Sequence, residues 1–128
     1  MAKINFIFFC NNTEVSPETH NLNIIGIFDT ILAEKFPATH RLMFVVVNFD
    51  ISGGHHVEFF KITKDGKPVL TSPEFPFEAM GEKHQFVHKI GNLVLHEPGK
   101  YIVEIFVDGQ LIGSNLFIVR AKENVNYA

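Results

Sequence analysis

Seven histidines in 128 residues hold the most chemical potential, because imidazole both binds metals and transfers protons near neutral pH. His55 and His56 are adjacent, so on a strand their rings point to opposite faces. They could share an ion only in an irregular loop, which Gly53-Gly54 permits. His84 and His88 have the spacing of helical ligands, yet along a strand they stand about 13 Å apart. Neither pair has the spacing of a structural zinc site, and the single cysteine, Cys10, excludes a thiolate cluster. Ordinary surface or loop histidines are therefore expected, with no metal and no cofactor.

Other reactive groups are similarly isolated. Ser114 lies in Ile112-Gly113-Ser114-Asn115, which lacks the G-x-S-x-G elbow. Cys10 closes an apolar run, the setting of an inert small hydrophobe. Glu14 and Glu18 flank Pro17, and Glu74 and Glu78 flank Pro76, so both pairs read as solvated loop charges. The glycines form no phosphate-binding motif. No catalytic residue is expected, and the chain reads as a non-enzyme.

The elements that must carry these residues are strands. Runs rich in Phe, Ile and Val occupy 3–10, 22–31, 41–51, 57–64, 68–77, 84–95, 100–107 and 111–120, and clusters of Gly, Pro, Asn or Asp separate most of them. No window sustains helical periodicity between caps; Asp29–Phe36 could form one helical turn before Pro37. About eight strands at this spacing predict an all-β, immunoglobulin-like antiparallel sandwich, with residues 1–128 as a single domain. Fourteen Phe against two Tyr and no Trp supply core bulk without polar groups to satisfy.

Charge and hydropathy remove several classes. A formal charge of −3 without any Lys/Arg run argues against nucleic acid as a partner. Leu42–Val47, the longest unbroken apolar run, is too short to span a bilayer. The apolar stretch before Cys10 is short, interrupted by Asn5, and bulky where export signals need small residues. A cytoplasmic setting and no membrane partner are the expectation.

Asp65-Gly66 and Asp108-Gly109 are two-residue hairpin signals, since Asp-Gly tolerates the positive φ angles of a turn whose twist matches its strands. If Val107 and Gln110 close the second hairpin, Ile105 faces Ile112, Val103 faces Ser114 and Tyr101 faces Leu116. That register makes Tyr101, Val103, Ile105, Ile112 and Leu116 one core face. Ile102, Phe106 and Leu111 point away from it, and Phe117 extends the same outer surface. These four are the candidate interface, covered either by a second copy in a homodimer or by residues 30–40 or Val125–Tyr127 of the same chain.

Pro98-Gly99-Lys100-Tyr101 places Gly two residues before Tyr, and it resembles the tyrosine corner of immunoglobulin-like domains. Val103 stands where that family has a disulfide cysteine, and the antibody tryptophan is absent. Leu22-Asn23-Ile24-Ile25-Gly26-Ile27-Phe28-Asp29, Phe36-Pro37-Ala38-Thr39-His40, Pro98–Tyr101 and Val107-Asp108-Gly109 together resemble a family of small uncharacterised bacterial β-sandwich proteins. The resemblance implies a fold and a bacterial setting, and no activity. The expected function is thus a non-catalytic protein-interaction or assembly module. A small-molecule- or metal-binding protein using the Gly53–His56 loop is the alternative.

Overall fold

The computed structural model describes residues 2–122. Among these, ten strands form two sheets and there is no helix. In chain order they are β1 (Lys3–Val15), β2 (Leu22–Phe28), β3 (Thr30–Ala33), β4 (Ala38–Asp50), β5 (Gly54–Lys64), β6 (Lys67–Thr71), β7 (Phe75–Ala79), β8 (Lys83–Leu95), β9 (Gly99–Val107) and β10 (Gln110–Ala121). Sheet A runs β2-β1-β4-β8; sheet B runs β3-β10-β9-β5-β6, with β7 pairing the other end of β5. All pairs are antiparallel except β3 with β10.

The two strands beyond the expected eight come from splitting two runs. Residues 22–31 break at Asp29: β2 stays in sheet A, whereas β3 crosses to sheet B and pairs parallel with β10. The stretch 29–36 is therefore strand and bend, not a helical turn. Residues 68–77 break at Ser72. Its hydroxyl accepts from Phe60 N at 2.8 Å while its N–H donates to Phe60 O, so Ser72 pairs β5 where β6 and β7 leave a gap.

Inward-facing side chains from both sheets meet in one core, where alternation works as strand geometry requires. Met43, Val45, Val47 and Phe49 on β4 are wholly covered, opposite Ile62 on β5 and Val103 and Ile105 on β9. Phe9 of sheet A meets Phe117 of sheet B edge-on at 5.4 Å, a favoured ring geometry. Both Asp-Gly turns form as read, with Lys64 opposite Lys67 and Val107 opposite Gln110, and with positive φ at each Asp and Gly. Tyr101 is buried, and its hydroxyl donates to Glu97 O at 2.6 Å.

The expected register of the last hairpin fails beyond the turn. Leu111 opposes Phe106, but Gly113 opposes Ile105, so Ile112 is an extra residue bulged out of the ladder. Every later residue of β10 therefore changes face. Gly113 now faces inward, and a Cβ there would lie 2.5 Å from Ile4 Cγ1 of the opposite sheet. Asn115 also faces inward and donates from Nδ2 to Ile7 O at 2.8 Å. Phe117, expected on the outer surface, is wholly buried and stacks on Tyr101 at 5.4 Å. Leu116, expected in the core, opposes Ile102 on the outside.

Candidate functional site

On β8, strand periodicity sends His84, Phe86, His88 and Ile90 to one side, toward sheet B. His84 is stacked on Phe77 at 4.3 Å, and His88 lies 5.3 Å from Phe86, 5.0 Å from Phe75 and 4.8 Å from Phe60. Burial pushes the His84 imidazole below its ordinary pKa, because the cation would lose hydration among these rings. His88 Nε2 meets Glu58 Oε2 at 2.6 Å, and both side chains are buried. The second carboxyl oxygen, Oε1, is also buried and has no hydrogen-bond partner. Buried polar atoms are normally paired, so this pair stands out.

Beside it lies a cavity of about 370 Å³ between the edge of β8 and the corner joining β6 to β7. Phe60, Leu70, Ser72, Phe75, His88 and Ile90 are among its walls. It exists because no strand pair joins the two sheets on this side: β8 ends sheet A, and sheet B ends in the interrupted β6–β7 edge. Glu58 carried a faint signal, a lone acid within Val57-Glu58-Phe59-Phe60, as did the alternation of His84, Phe86 and His88. Their convergence depends on how the sheets stack, which neither strand encodes alone.

His55 and His56 lie on β5 rather than in a loop, opposite Glu78 and Phe77 of β7. Strand alternation therefore separates their rings, and they cannot share an ion. His56 Nδ1 meets Asp108 Oδ2 at 2.6 Å, and its Nε2 meets Ser52 O at 2.9 Å. Both partners are acceptors, so the ring donates to each as an imidazolium. Hydrogen bonding to Asp108 accordingly raises the His56 pKa, and His56 in return lowers that of Asp108. Asp108 Oδ1 also accepts from Val57 N at 3.0 Å. The cluster locks the β9–β10 turn onto β5 and leaves neither ring nitrogen of His56 free. Among the described residues no group of three or more His, Cys, Asp or Glu gathers as a metal site. Ser114 is exposed on the outer side of β10, and Cys10 is fully covered.

The outward face of sheet B is the third feature. Phe59 and Phe106 oppose each other on β5 and β9 and stack at 4.7 Å, with Lys61 Nζ 5.2 Å from the Phe106 ring centre. Ile102, Leu111 and Leu116 continue this surface, at 38%, 53% and 37% exposure. Three of the four interface candidates, Ile102, Phe106 and Leu111, therefore share this face, and Leu116 takes the place assigned to Phe117. The segment 30–40 does not cover them, since β3 joins the edge of the same sheet. Val125–Tyr127, the other suggested cover, lies outside the described residues. Sheet A also exposes Ile25, Ile27 and Val87 on its outward side.

Two stacked sheets of ten strands, carrying a buried Glu–His pair at an open edge, define an all-β protein. Residues 5–120 match the model of DUF6941, a family of unknown function, and the chain belongs to that family. No functionally curated protein matches its sequence. Among solved structures, it is similar to part of the Pseudomonas fluorescens alkylpurine DNA glycosylase AlkC, bound to DNA containing an abasic site analog. That match has 16% identity and a TM-score of 0.56, and covers 94% of this chain and 30% of the glycosylase chain. It is also similar to part of a β-glucosidase from Listeria innocua in complex with glucose. Here identity is 12% and the TM-score 0.54, over 93% of this chain and 16% of the other. At such identities the likeness concerns the fold alone. No helix among the described residues is long and apolar enough to cross a membrane.

Proposed function

We propose that this protein is a non-catalytic interaction module of immunoglobulin-like architecture that assembles as a homodimer through the outward face of sheet B. The observation that carries the reading is the apolar surface of Phe59, Ile102, Phe106, Leu111 and Leu116 on three adjacent strands. A solvated antiparallel sheet alternates apolar with polar residues, and clustered apolar residues on neighbouring strands mark an interface. The patch also holds one cation, Lys61, directly opposite one anion, Glu104. A two-fold copy can offer each of them its opposite charge.

The immunoglobulin-like part of the proposal is supported by the Tyr101 hydroxyl bonded to the backbone four residues upstream, as at a tyrosine corner. A bacterial, cytoplasmic setting completes the reading, supported by a lone free cysteine with no disulfide framework. Nucleic acid is not a partner in it, because the net charge is −3 and no basic run tracks phosphates.

Light scattering tests the proposal. The wild-type protein is expected at twice the chain mass, and Phe106→Lys and Leu111→Lys as folded monomers. A wild-type protein that stays monomeric at high concentration overturns the dimer.

A further inference from the structure

His88 has one ring nitrogen that the Glu58 contact does not use. Its ring is fixed by Phe60 at 4.8 Å, Phe75 at 5.0 Å and Phe86 stacked at 5.3 Å. Nε2 is turned to Glu58, and the side chain is only 5% exposed. The same residue lines the 370 Å³ cavity, so the nitrogen it can present there is Nδ1. Among the described residues no hydrogen bond reaches that atom. A polar group so nearly covered normally has a partner.

The pair itself decides what Nδ1 offers. Glu58 is wholly covered, so a net charge on the pair would be costly. Two neutral arrangements exist. In one, a carboxylate accepts from Nε2–H of an imidazolium, and Nδ1 carries hydrogen as well. In the other, a carboxylic acid donates to Nε2, which leaves the ring hydrogen on Nδ1. Both make Nδ1 a donor. Only the charged arrangement, a carboxylate against a neutral imidazole, would make it an acceptor.

The rest of the cavity selects the body of the ligand. Leu70, Phe75, Val87 and Ile90 make its walls largely apolar. Ser72 is already occupied, since its Oγ accepts from Phe60 N and donates to Pro73 O. Thr71 and Lys89 are exposed. One covered donor in an apolar chamber of this size is the make-up of a small-molecule site. It complements an acceptor. An anionic acceptor would bring net charge among these walls beside Glu58, so a neutral one fits.

We propose that this cavity binds a small neutral molecule with an apolar body and one acceptor, typified by an aryl ketone. Its carbonyl oxygen accepts from His88 Nδ1. Glu58 fixes hydrogen on that nitrogen, and the phenylalanine rings hold the imidazole in place. The site goes beyond the interaction-module reading. It lies between the sheets, whereas the proposed dimer uses the outer face of sheet B, so neither rests on the other.

The test is amide NMR of the full chain titrated with acetophenone, ethylbenzene and benzoate, which are closely similar in shape. Acetophenone should shift the amides of Phe60, Leu70, His88 and Ile90, with a dissociation constant of about 1 mM or below. Benzoate should bind about tenfold more weakly, or worse. Nitrogen chemical shifts of the His88 imidazole should show hydrogen on Nδ1. Combining Glu58→Met with His88→Leu removes the donor and leaves apolar walls. In that variant the preference for acetophenone over ethylbenzene should fall about three- to tenfold, the share of one hydrogen bond.

No shift of these amides by acetophenone up to about 1 mM overturns the proposal. So does benzoate binding as tightly as acetophenone, an unchanged preference in the double variant, or a His88 Nδ1 without hydrogen. The mass from light scattering bears on the dimer alone.

Discussion

Replacing His88 by Leu should be the most damaging single change at the Glu58–His88 pair, and adding Glu58→Met should rescue it. His88→Leu leaves the Glu58 carboxyl, already short of one partner, with neither oxygen hydrogen-bonded within the protein. Breaking a buried ionic pair from one side costs about 3–5 kcal/mol. Glu58→Met instead leaves only His88 Nε2 unpaired, a loss of about 1–3 kcal/mol. The double variant removes every unpaired polar group and surrounds the new side chains with Phe60, Phe75 and Phe86. Apolar replacement of such pairs is often neutral or stabilising, so the double variant should fall within about 1 kcal/mol of wild type. The coupling between the sites is then at least about 3 kcal/mol. Urea unfolding of the four proteins, extrapolated linearly, measures it as a double-mutant cycle. Effects that add within about 0.5 kcal/mol would refute the reasoning, because they would mean the two groups act independently.

The His56–Asp108 contact gives stability a pH dependence. The contribution of His56, whose pKa is raised on folding, is complete below its ordinary value and is lost as pH rises through the elevated folded value. The contribution of Asp108, whose pKa is lowered, is present above the ordinary carboxylate range and is lost as pH falls through the depressed value. Thermal melts between those limits should show a neutral-to-alkaline decline that His56→Gln flattens; parallel curves would place the dependence elsewhere. Tyr101→Phe should cost about 1 kcal/mol in denaturant melts with the fold intact, because it removes the 2.6 Å bond to Glu97 O. An unchanged midpoint would show that this bond makes no net contribution. Gly66 and Gly109 have similar positive φ and open surroundings, so valine strains both turns alike. Gly109→Val should still destabilise more, since it also disturbs the Asp108 contacts to His56 and Val57. Equal midpoints would show that those contacts add nothing.

Several features of this protein are local and were legible as such. Hydrophobic alternation marks nearly every strand, because a strand's two faces depend only on its own period of two. Asp65-Gly66 and Asp108-Gly109 dictate their turns, because the required positive φ is a property of those residues. The outward placement of Ile102, Phe106 and Leu111 followed from the turn and from unbroken alternation along β9, whereas β10 departs from it at Ile112.

Tertiary structure decided the rest. The bulge at Ile112 reversed the facing of Leu116 and Phe117 and turned Gly113 inward, where Ile4 of the opposite sheet fills the space a side chain would need. The sequence 111–118 alone accommodates either register, since apolar residues occupy both of its faces. β3 left sheet A for sheet B to pair with β10, a partner more than eighty residues away in the chain. Glu58 and His88 sit on different sheets, and only the stacking of those sheets brings them to 2.6 Å. Strand identity is a local property of the chain. Which face a residue presents, and what it meets there, depends on packing between segments far apart in sequence.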